Sequence, residues 1–153
     1  KARYAGLKNE WYLEYIKRMT PGEILPGSLE FIRELKYDNI KIAIGSASKN
    51  TPVILKSLEL DSVFDVVVDG NIVKNAKPDP EVFTKAAEMM GVEAEKCVVF
   101  EDAIAGVKSA LNAGMVCVGI GSEKILREAH HVVSGLDKIN LKILRKIVEN
   151  IRV

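Results

Sequence analysis

The chain has 153 residues, of which 48% are hydrophobic and 28% are charged, so it is long enough for one well-buried domain and too short for two. Its 22 basic and 21 acidic side chains leave a net charge of +1 without any block of like charges, which argues against nucleic acid or an anionic membrane surface as a partner. The apolar stretches are far shorter than the roughly 20 residues needed to cross a bilayer, so we expect a cytoplasmic protein.

Two cysteines bear on the cellular compartment. Cys97 and Cys117 each lie inside a short apolar run. Two such thiols in a cytoplasmic protein are more often reduced core residues than a disulfide, because the cytoplasm keeps thiols reduced. We therefore predict two free thiols in the core.

The chain begins with a predicted helix and not with a strand. Trp11, Tyr15 and Met19 recur every four residues, which predicts a helix over Asn9–Met19 that Thr20-Pro21-Gly22 ends. We expect its aromatic side chains to pack and not to stack on nucleic-acid bases. An α/β chain ordinarily opens with a strand, so a preceding segment is expected to be missing here.

After this helix, short β-branched runs alternate with longer amphipathic segments, which is typical of a parallel sheet covered by helices on both faces. The strands are apolar nearly throughout, as expected for strands buried on two sides. Helix signals include prolines in first turns and glycines after last turns. The sequence thus predicts a doubly wound α/β domain, with strands at Ile40–Ile44, Val66–Val68, Cys97–Phe100, Val116–Ile120 and Val132–Val133, and helices that follow Pro26-Gly27, Thr51-Pro52 and Asp79-Pro80 and span Ile104–Asn112 and Asn140–Ile151.

Ligands of open α/β sheets bind beyond the carboxyl ends of the strands, so the loops that follow the strands are the candidate site. After the first strand comes Gly45-Ser46-Ala47-Ser48-Lys49-Asn50. Small residues let backbone N–H groups approach an anion, and the two hydroxyls can donate as well. The alternative is a solvated turn in which Ser48 or Thr51 only caps the next helix.

Two further loops carry charge. Lys77 precedes Pro78, which restricts the lysine backbone and gives its ammonium group a defined direction. Taken alone, a lysine at this position is more often an ordinary surface residue. Glu101 and Asp102 follow the third strand. Adjacent carboxylates suit Mg²⁺, which takes one or two of them and completes its octahedron with water and substrate phosphate, whereas the plain alternative makes Asp102 a helix cap.

Together, in this order and at strand ends, these residues resemble the second, third and fourth motifs of the haloacid dehalogenase superfamily. The stretches SASKN, KNAKPDPEVF, VVFEDAIAGV and NAGMVCVGIG are similar to the β-phosphoglucomutase family within it, over nearly the whole chain. Lys8, Asn9 and Tyr12 resemble the last helix of that family's helical cap. The resemblance implies a cap segment at residues 1–20 and a Rossmann-like α/β core at residues 21–153.

The resemblance also implies an activity. In this family an aspartate takes up a phosphoryl group and passes it to the sugar, which interconverts β-D-glucose 1-phosphate and glucose 6-phosphate with Mg²⁺ as cofactor. The implied catalytic residues are Ser46 and Lys77, and the implied metal ligands are Glu101 and Asp102. The implied partner is a hexose phosphate, and the complete protein is expected to be a monomer. Phosphate or substrate binding is implied for Ser46, Ala47, Ser48, Lys49, Asn50, Lys77 and Lys8.

One departure from the family pattern is large. Family members begin with a strand that ends in Asp-x-Asp-Gly, whose first aspartate is the nucleophile, and nothing in residues 1–25 matches it. In the family this strand lies between those predicted at Ile40–Ile44 and Cys97–Phe100. We therefore expect the 153 residues to be part of a longer polypeptide, and to be unstable and inactive alone. The rival interpretations are a sugar-phosphate phosphatase of the same superfamily and a non-catalytic phosphate-binding fragment.

Overall fold

A computed structural model describes the backbone of residues 2–152 and the side chains of residues 10–151. Its strands are all parallel to their neighbours, and helices cover them on both faces. The predicted doubly wound α/β fold is therefore confirmed. The strands are β1 (Ala43–Gly45), β2 (Val66–Val68), β3 (Val98–Glu101), β4 (Val116–Ile120) and β5 (His131–Val133), and the helices are α1 (Ala2–Lys17), α2 (Ser28–Tyr37), α3 (Thr51–Ser57), α4 (Glu81–Met90), α5 (Ile104–Asn112) and α6 (Leu141–Arg152).

Alternate residues of the strands enter two separate apolar cores. Val99 and Cys117 pack in the layer formed with α4 and α5, which includes Phe83 and Val107. Val118, the next residue of β4, packs instead in the layer formed with α2 and α6. Because side chains alternate across a strand, a strand that is buried on both faces needs apolar residues at successive positions.

The strands form two separate sheets within the described part of the chain. β1 pairs with β2, while β3, β4 and β5 form a second sheet in that order. A cleft of about 1110 Å³ lies between β1 and β3, and both strands line it. Its walls are largely apolar and come from both helical layers, with Phe31, Leu35 and Leu144 from one side and Phe83, Ala87 and Met115 from the other.

The first strand is shorter than predicted, since it begins at Ala43 and not at Ile40. The N–H of Ile40 donates to the last turn of α2, at Leu35 O (3.0 Å), and the N–H of Ile42 donates to the Asp65 carboxylate (2.8 Å). These amides are therefore engaged outside the strand ladder. The third strand likewise begins one residue late, at Val98, because the Cys97 N–H closes a turn on Ala94 O (2.9 Å).

The predicted packing of the first helix is wrong for its aromatic residues. Helix α1 begins at Ala2 and ends at Lys17, whereas Trp11, Tyr12 and Tyr15 are 76%, 41% and 59% exposed. Among the side chains of this helix that the structure describes, which begin at residue 10, the buried one is Ile16, at 1% exposure. At 3.6 residues per turn, Ile16 lies about 140° around the helix from Trp11, so α1 packs through a different side from its aromatic stripe. No helix of the described residues is long and apolar enough to cross a membrane.

Both cysteines are free thiols, as predicted. Burial, together with the nearby Glu101 charge, raises the pKa of the Cys117 thiol to about 11. Burial also raises the pKa of Cys97, which is only half-buried. Because the thiolate is the reactive form, a raised pKa lowers the reactive fraction near neutral pH.

We predict that a thiol reagent at pH 8 modifies Cys97 in the folded protein and modifies Cys117 only after the protein unfolds. Mass spectrometry of the complete gene product, labelled with and without denaturant, measures this difference. Equal labelling rates for the two thiols in the native protein would contradict the burial described for Cys117.

Candidate functional site

The loop of residues 46–50, which we call the anchor loop, leaves the carboxyl end of β1 and folds back on itself. The Ser46 N–H donates to Val68 O at the end of β2 (2.8 Å). The Ser48 N–H donates to Ser46 Oγ (3.1 Å), and the Asn50 N–H donates to Ser48 Oγ (3.1 Å). The hydroxyl oxygens therefore accept bonds from inside the loop, and hydroxyl protons stay available to a ligand.

Thr51 contacts the Ser46 hydroxyl, whereas the sequence predicted a helix cap at Thr51. It is the first residue of α3 and not its cap, which is Asn50. Thr51 is 5% exposed, and its hydroxyl oxygen lies 2.8 Å from both Ser46 Oγ and Ser48 O. Because a threonine hydroxyl has one proton, it serves only one of these two oxygens at a time. Thr51 thus helps to orient the Ser46 hydroxyl.

Two backbone N–H groups of the anchor loop have no hydrogen-bond partner among residues 10–151, those of Ala47 and Lys49. Both residues are exposed, and the Lys49 ammonium makes no hydrogen bond or ion pair within residues 10–151. Asn50 is half-buried. The anchor loop therefore presents two amide donors and one free ammonium group to solvent, while Lys8 lies outside the residues whose side chains are described.

Lys77 connects the two sheets at their carboxyl ends. Its ammonium donates to Gly45 O, the last residue of β1 (3.3 Å), and forms an ion pair with the carboxylate of Glu101, the last residue of β3. The same ammonium lies 4.7 Å from the centre of the Phe83 ring, within the range of a cation–π contact. The Lys77 side chain is 18% exposed, so it is not an ordinary surface lysine.

Helices α4 and α5 hold the segment that carries Lys77, which includes a cis peptide bond between Lys77 and Pro78. The Ser109 hydroxyl donates to Asp79 O (2.7 Å), and the Asn112 side-chain amide donates to Pro78 O (3.0 Å). The sequence signal for Ser109 was slight, a single hydroxyl on the apolar face of α5. Its burial is complete, at 0% exposure.

The Glu81 carboxylate fixes the other end of the same segment. It accepts the backbone N–H of Asn75 (2.7 Å) and of Lys74 (3.1 Å), and these two bonds lower its pKa. The charged form of Glu81 is therefore the form that holds the segment. Sequence reasoning missed this role, because a glutamate in a first helical turn is common for dipole reasons alone.

The two adjacent acids at the end of β3 have different surroundings. Glu101 is 9% exposed and is paired with Lys77, whereas Asp102 is exposed and its carboxylate makes no hydrogen bond or ion pair within the described residues. No cluster of three metal-ligating side chains occurs in that part of the chain. Two carboxylates nonetheless fit Mg²⁺, which binds few protein ligands and keeps waters and phosphate oxygens.

The structure thus brings Ser46, Lys77 and the Glu101-Asp102 pair to one edge of the fold. Lys77 contacts the residue directly before Ser46 and the residue directly before Asp102. The cleft between β1 and β3 opens beside this cluster, since Gly45 and Glu101 both line it. The edge therefore combines hydroxyl, amide and ammonium donors with two carboxylates, a combination suited to a phosphate dianion beside a divalent cation.

The chain is similar to known proteins over most of its length. The model of the haloacid dehalogenase-like hydrolase family matches residues 5–114. Over 146 residues the chain is 36% identical to a β-phosphoglucomutase of Bacillus subtilis, covering 95% of this chain and 65% of that protein. Over 130 residues it is 35% identical to a phosphorylated carbohydrates phosphatase of Thermotoga maritima, covering 80% of this chain and 60% of that protein.

A solved structure is also similar. The crystal structure of a β-phosphoglucomutase from Clostridium difficile superposes with a TM-score of 0.93 at 33% sequence identity, and covers 99% of this chain and 68% of that one. The chain belongs to the haloacid dehalogenase-like hydrolase family. It spans less than two thirds of the length of the curated relatives named above.

Gly106, in the first turn of α5, makes room for Glu101. A Cβ atom at this glycine would lie 2.0–2.3 Å from the Glu101 carboxyl atoms. We predict that Gly106→Ala destabilises the complete gene product by about 1–3 kcal/mol, because the Glu101–Lys77 pair must be displaced. An alanine in a helix otherwise stabilises it by roughly 0.5–1 kcal/mol relative to glycine. Urea denaturation measures the sign.

Gly22→Ala is the matched control, since the nearest atom to its added Cβ lies 3.6 Å away. A Gly106→Ala protein that is more stable than the unsubstituted protein would mean that Glu101 does not need this space.

Proposed function

We propose that the protein to which this chain belongs catalyses Mg²⁺-dependent phosphoryl transfer on a hexose phosphate, namely the interconversion of β-D-glucose 1-phosphate and glucose 6-phosphate. The observation that carries the proposal is the position of the Lys77 ammonium, which contacts both Gly45 O and the Glu101 carboxylate. One cation thereby joins the anchor loop to the acidic pair. A phosphoryl group between them would meet donors from one side and a metal from the other.

The residues of this chain would act mainly by positioning and by charge stabilisation, which supply most of the catalysis in phosphoryl transfer. The Ser46 hydroxyl and the Ala47 N–H would bind oxygens of the transferring group. Lys77 would neutralise part of their charge. Its ion pair and its contact with Phe83 hold the ammonium in place before substrate arrives, so that little reorganisation is needed during the reaction.

Glu101 and Asp102 would hold Mg²⁺. When bound, the ion neutralises phosphate oxygens and helps to fix their orientation. Asp102 has no competing partner among the described side chains, so its carboxylate would be free to coordinate the ion. Glu101 is shared with Lys77, which keeps the ammonium and the metal site next to each other.

The nucleophile would come from polypeptide outside these 153 residues. We place it on an apolar strand that fills the cleft between β1 and β3, because the side chains that line the cleft are mostly apolar and each flanking strand is parallel to its own neighbour. Such a strand would end near Lys77. A carboxylate oxygen there would bond to phosphorus as the bond from phosphorus to the sugar oxygen breaks, and the sugar oxygen would take a proton from a general acid on the same missing segment. The core of residues 21–153 would be completed by this strand, and residues 1–20 would end a helical cap.

The substrate assignment distinguishes a mutase from a phosphatase. Ser48, Lys49 and Asn50 would bind the second, non-reacting phosphate of a sugar bisphosphate, which must be retained while its two ends exchange. Lys8 would contact the sugar phosphate from the cap.

Two alternative functions compete with this proposal. The first is a sugar-phosphate phosphatase, which the similarity to the Thermotoga maritima protein favours. The second is a non-catalytic fragment. We place the protein in the cytoplasm, which its free thiols fit, and we expect the complete protein to be a monomer.

We predict that Asp102→Asn lowers Mg²⁺-dependent turnover of the complete gene product at least about 100-fold, because a neutral amide is a poor ligand for Mg²⁺. The side chain is exposed, so the free energy of unfolding should change by no more than about 0.5 kcal/mol. Asp61→Asn, in the turn before β2 at the opposite edge, is the control. Retained activity in Asp102→Asn removes this residue as a ligand.

We also predict that Lys49→Ala reduces formation of glucose 6-phosphate about tenfold, which corresponds to the loss of one charged hydrogen bond to phosphate. Hydrolysis of a small aryl phosphate should change less than about twofold, since such a substrate has no second phosphate. Coupled assays for glucose 6-phosphate and for released phosphate measure the two rates. Lys56→Ala, an exposed lysine on α3, is the control. Equal losses in both assays would argue for a phosphatase.

A further inference from the structure

The turn that follows β2 lies against the anchor loop. This turn, Asp69-Gly70-Asn71, makes two hydrogen bonds to the loop's carbonyl oxygens. The Gly70 N–H donates to Ser48 O (3.2 Å), and the Asn71 side-chain amide donates to Lys49 O (3.2 Å). None of the three residues belongs to the site that the sequence predicted.

Asp69 is buried, at 5% exposure, but no cation of the described residues pairs with it. Its carboxylate oxygens accept the Asn71 backbone N–H (2.8 Å) and the Asn71 side-chain amide (3.2 Å). A buried carboxylate is costly unless hydrogen bonds compensate for lost water. These two bonds to Asp69 orient the Asn71 side chain, so that its second amide proton points at Lys49 O.

Gly70 allows the close approach of the two segments. A Cβ atom here would lie 2.3 Å from Ala47 O and 3.0 Å from the Lys49 nitrogen, both of them backbone atoms that cannot move aside. Its φ angle is outside the left-handed region, so the glycine is required by space and not by conformation. Any larger residue would separate the turn from the anchor loop.

The consequence concerns the free donors of the anchor loop. In a planar peptide, the C=O of one residue and the N–H of the next point in opposite directions. When Gly70 holds Ser48 O, the Lys49 N–H is turned away from it. Two more hydrogen bonds fix the backbone of the anchor loop. The Asn71 side-chain amide donates to Lys49 O, and the Ser46 N–H donates to Val68 O. The Ala47 and Lys49 N–H groups are thus kept unpaired.

We propose that Asp69, Gly70 and Asn71 are positioning residues, which set the backbone of residues 46–50 so that the N–H groups of Ala47 and Lys49 bind phosphate oxygens, Ala47 those of the transferring group and Lys49 those of the second phosphate. The inference rests on the proposed function, because it concerns how the same two phosphate groups are held. It adds that recognition depends on a turn that does not touch the ligand. Preorganised backbone donors bind an anion without the cost of ordering the loop at each encounter.

The test uses the complete gene product and inorganic phosphate as the probe. Asn71→Asp replaces the donor at Lys49 O with a carboxylate, and Asn71→Ala removes it without adding charge. Each should raise the dissociation constant for phosphate about tenfold, the equivalent of one hydrogen bond. Asn140→Asp, the same change at the cap of α6, should leave the constant unchanged.

Nuclear magnetic resonance of backbone amides separates positioning from general destabilisation. In the unsubstituted protein, phosphate should shift the amide signals of Ala47 and Lys49, and in the Asn71 variants the same shifts should require about tenfold more phosphate at temperatures far below unfolding. Variants that lose thermal stability but bind phosphate with unchanged affinity and unchanged amide shifts would overturn the inference.

Ser46→Ala distinguishes this failure from a failure of the proposed function. If Ser46→Ala weakens phosphate binding while the Asn71 variants do not, the site stands and the positioning role is wrong. If Ser46→Ala has no effect on phosphate binding, the anchor loop is not the phosphate site, and both proposals are wrong.

Discussion

The interaction on which the site depends is the contact of one ammonium group with both halves of a divided sheet. β1 and β3 do not pair with each other, and an apolar cleft separates them along their length. At their carboxyl ends Lys77 bonds to the last residue of one strand and the last side chain of the other. A partly buried charge needs such partners, because it has lost much of its water. The lysine therefore draws the anchor loop and the acidic pair to a common edge.

Much of the fold could be predicted because its signals are local. A strand buried on both faces must be apolar at successive positions, and β2 and β4 have the predicted bounds. Helix α5 ends where Gly114 adopts a positive φ, as its sequence indicated. Strand ends were less predictable. The Asp65 carboxylate accepts a hydrogen bond from the Ile42 N–H, although the two residues are 23 positions apart in the sequence. No local pattern indicates that bond.

The candidate site likewise has residues that the sequence could predict and residues that it could not. Ser46 directly follows β1, the two acids lie at the end of β3, and Lys77 lies in the loop between β2 and α4. Because these positions are all at or after the carboxyl ends of strands, the topology alone indicated that they lie together. The residues that orient them could not be predicted, since their roles arise from contacts between distant segments. The sequence indicates a helix cap at Thr51 and gives no role to Gly106. Their roles follow only from the Ser46 hydroxyl beside Thr51 and the Glu101 carboxylate beside Gly106. The roles of the site residues in catalysis stay predictions.

The central claim is that one phosphate site lies between the anchor loop and the acidic pair, next to a cleft that a strand completes. A crystal structure of the complete gene product with Mg²⁺ and a tetrahedral oxyanion tests it most directly. The anion should lie within about 2.7–3.2 Å of both Ser46 Oγ and Lys77 Nζ, and an added parallel strand should separate β1 from β3. An anion bound away from Ser46 and Lys77, or β1 paired directly with β3, would contradict the claim.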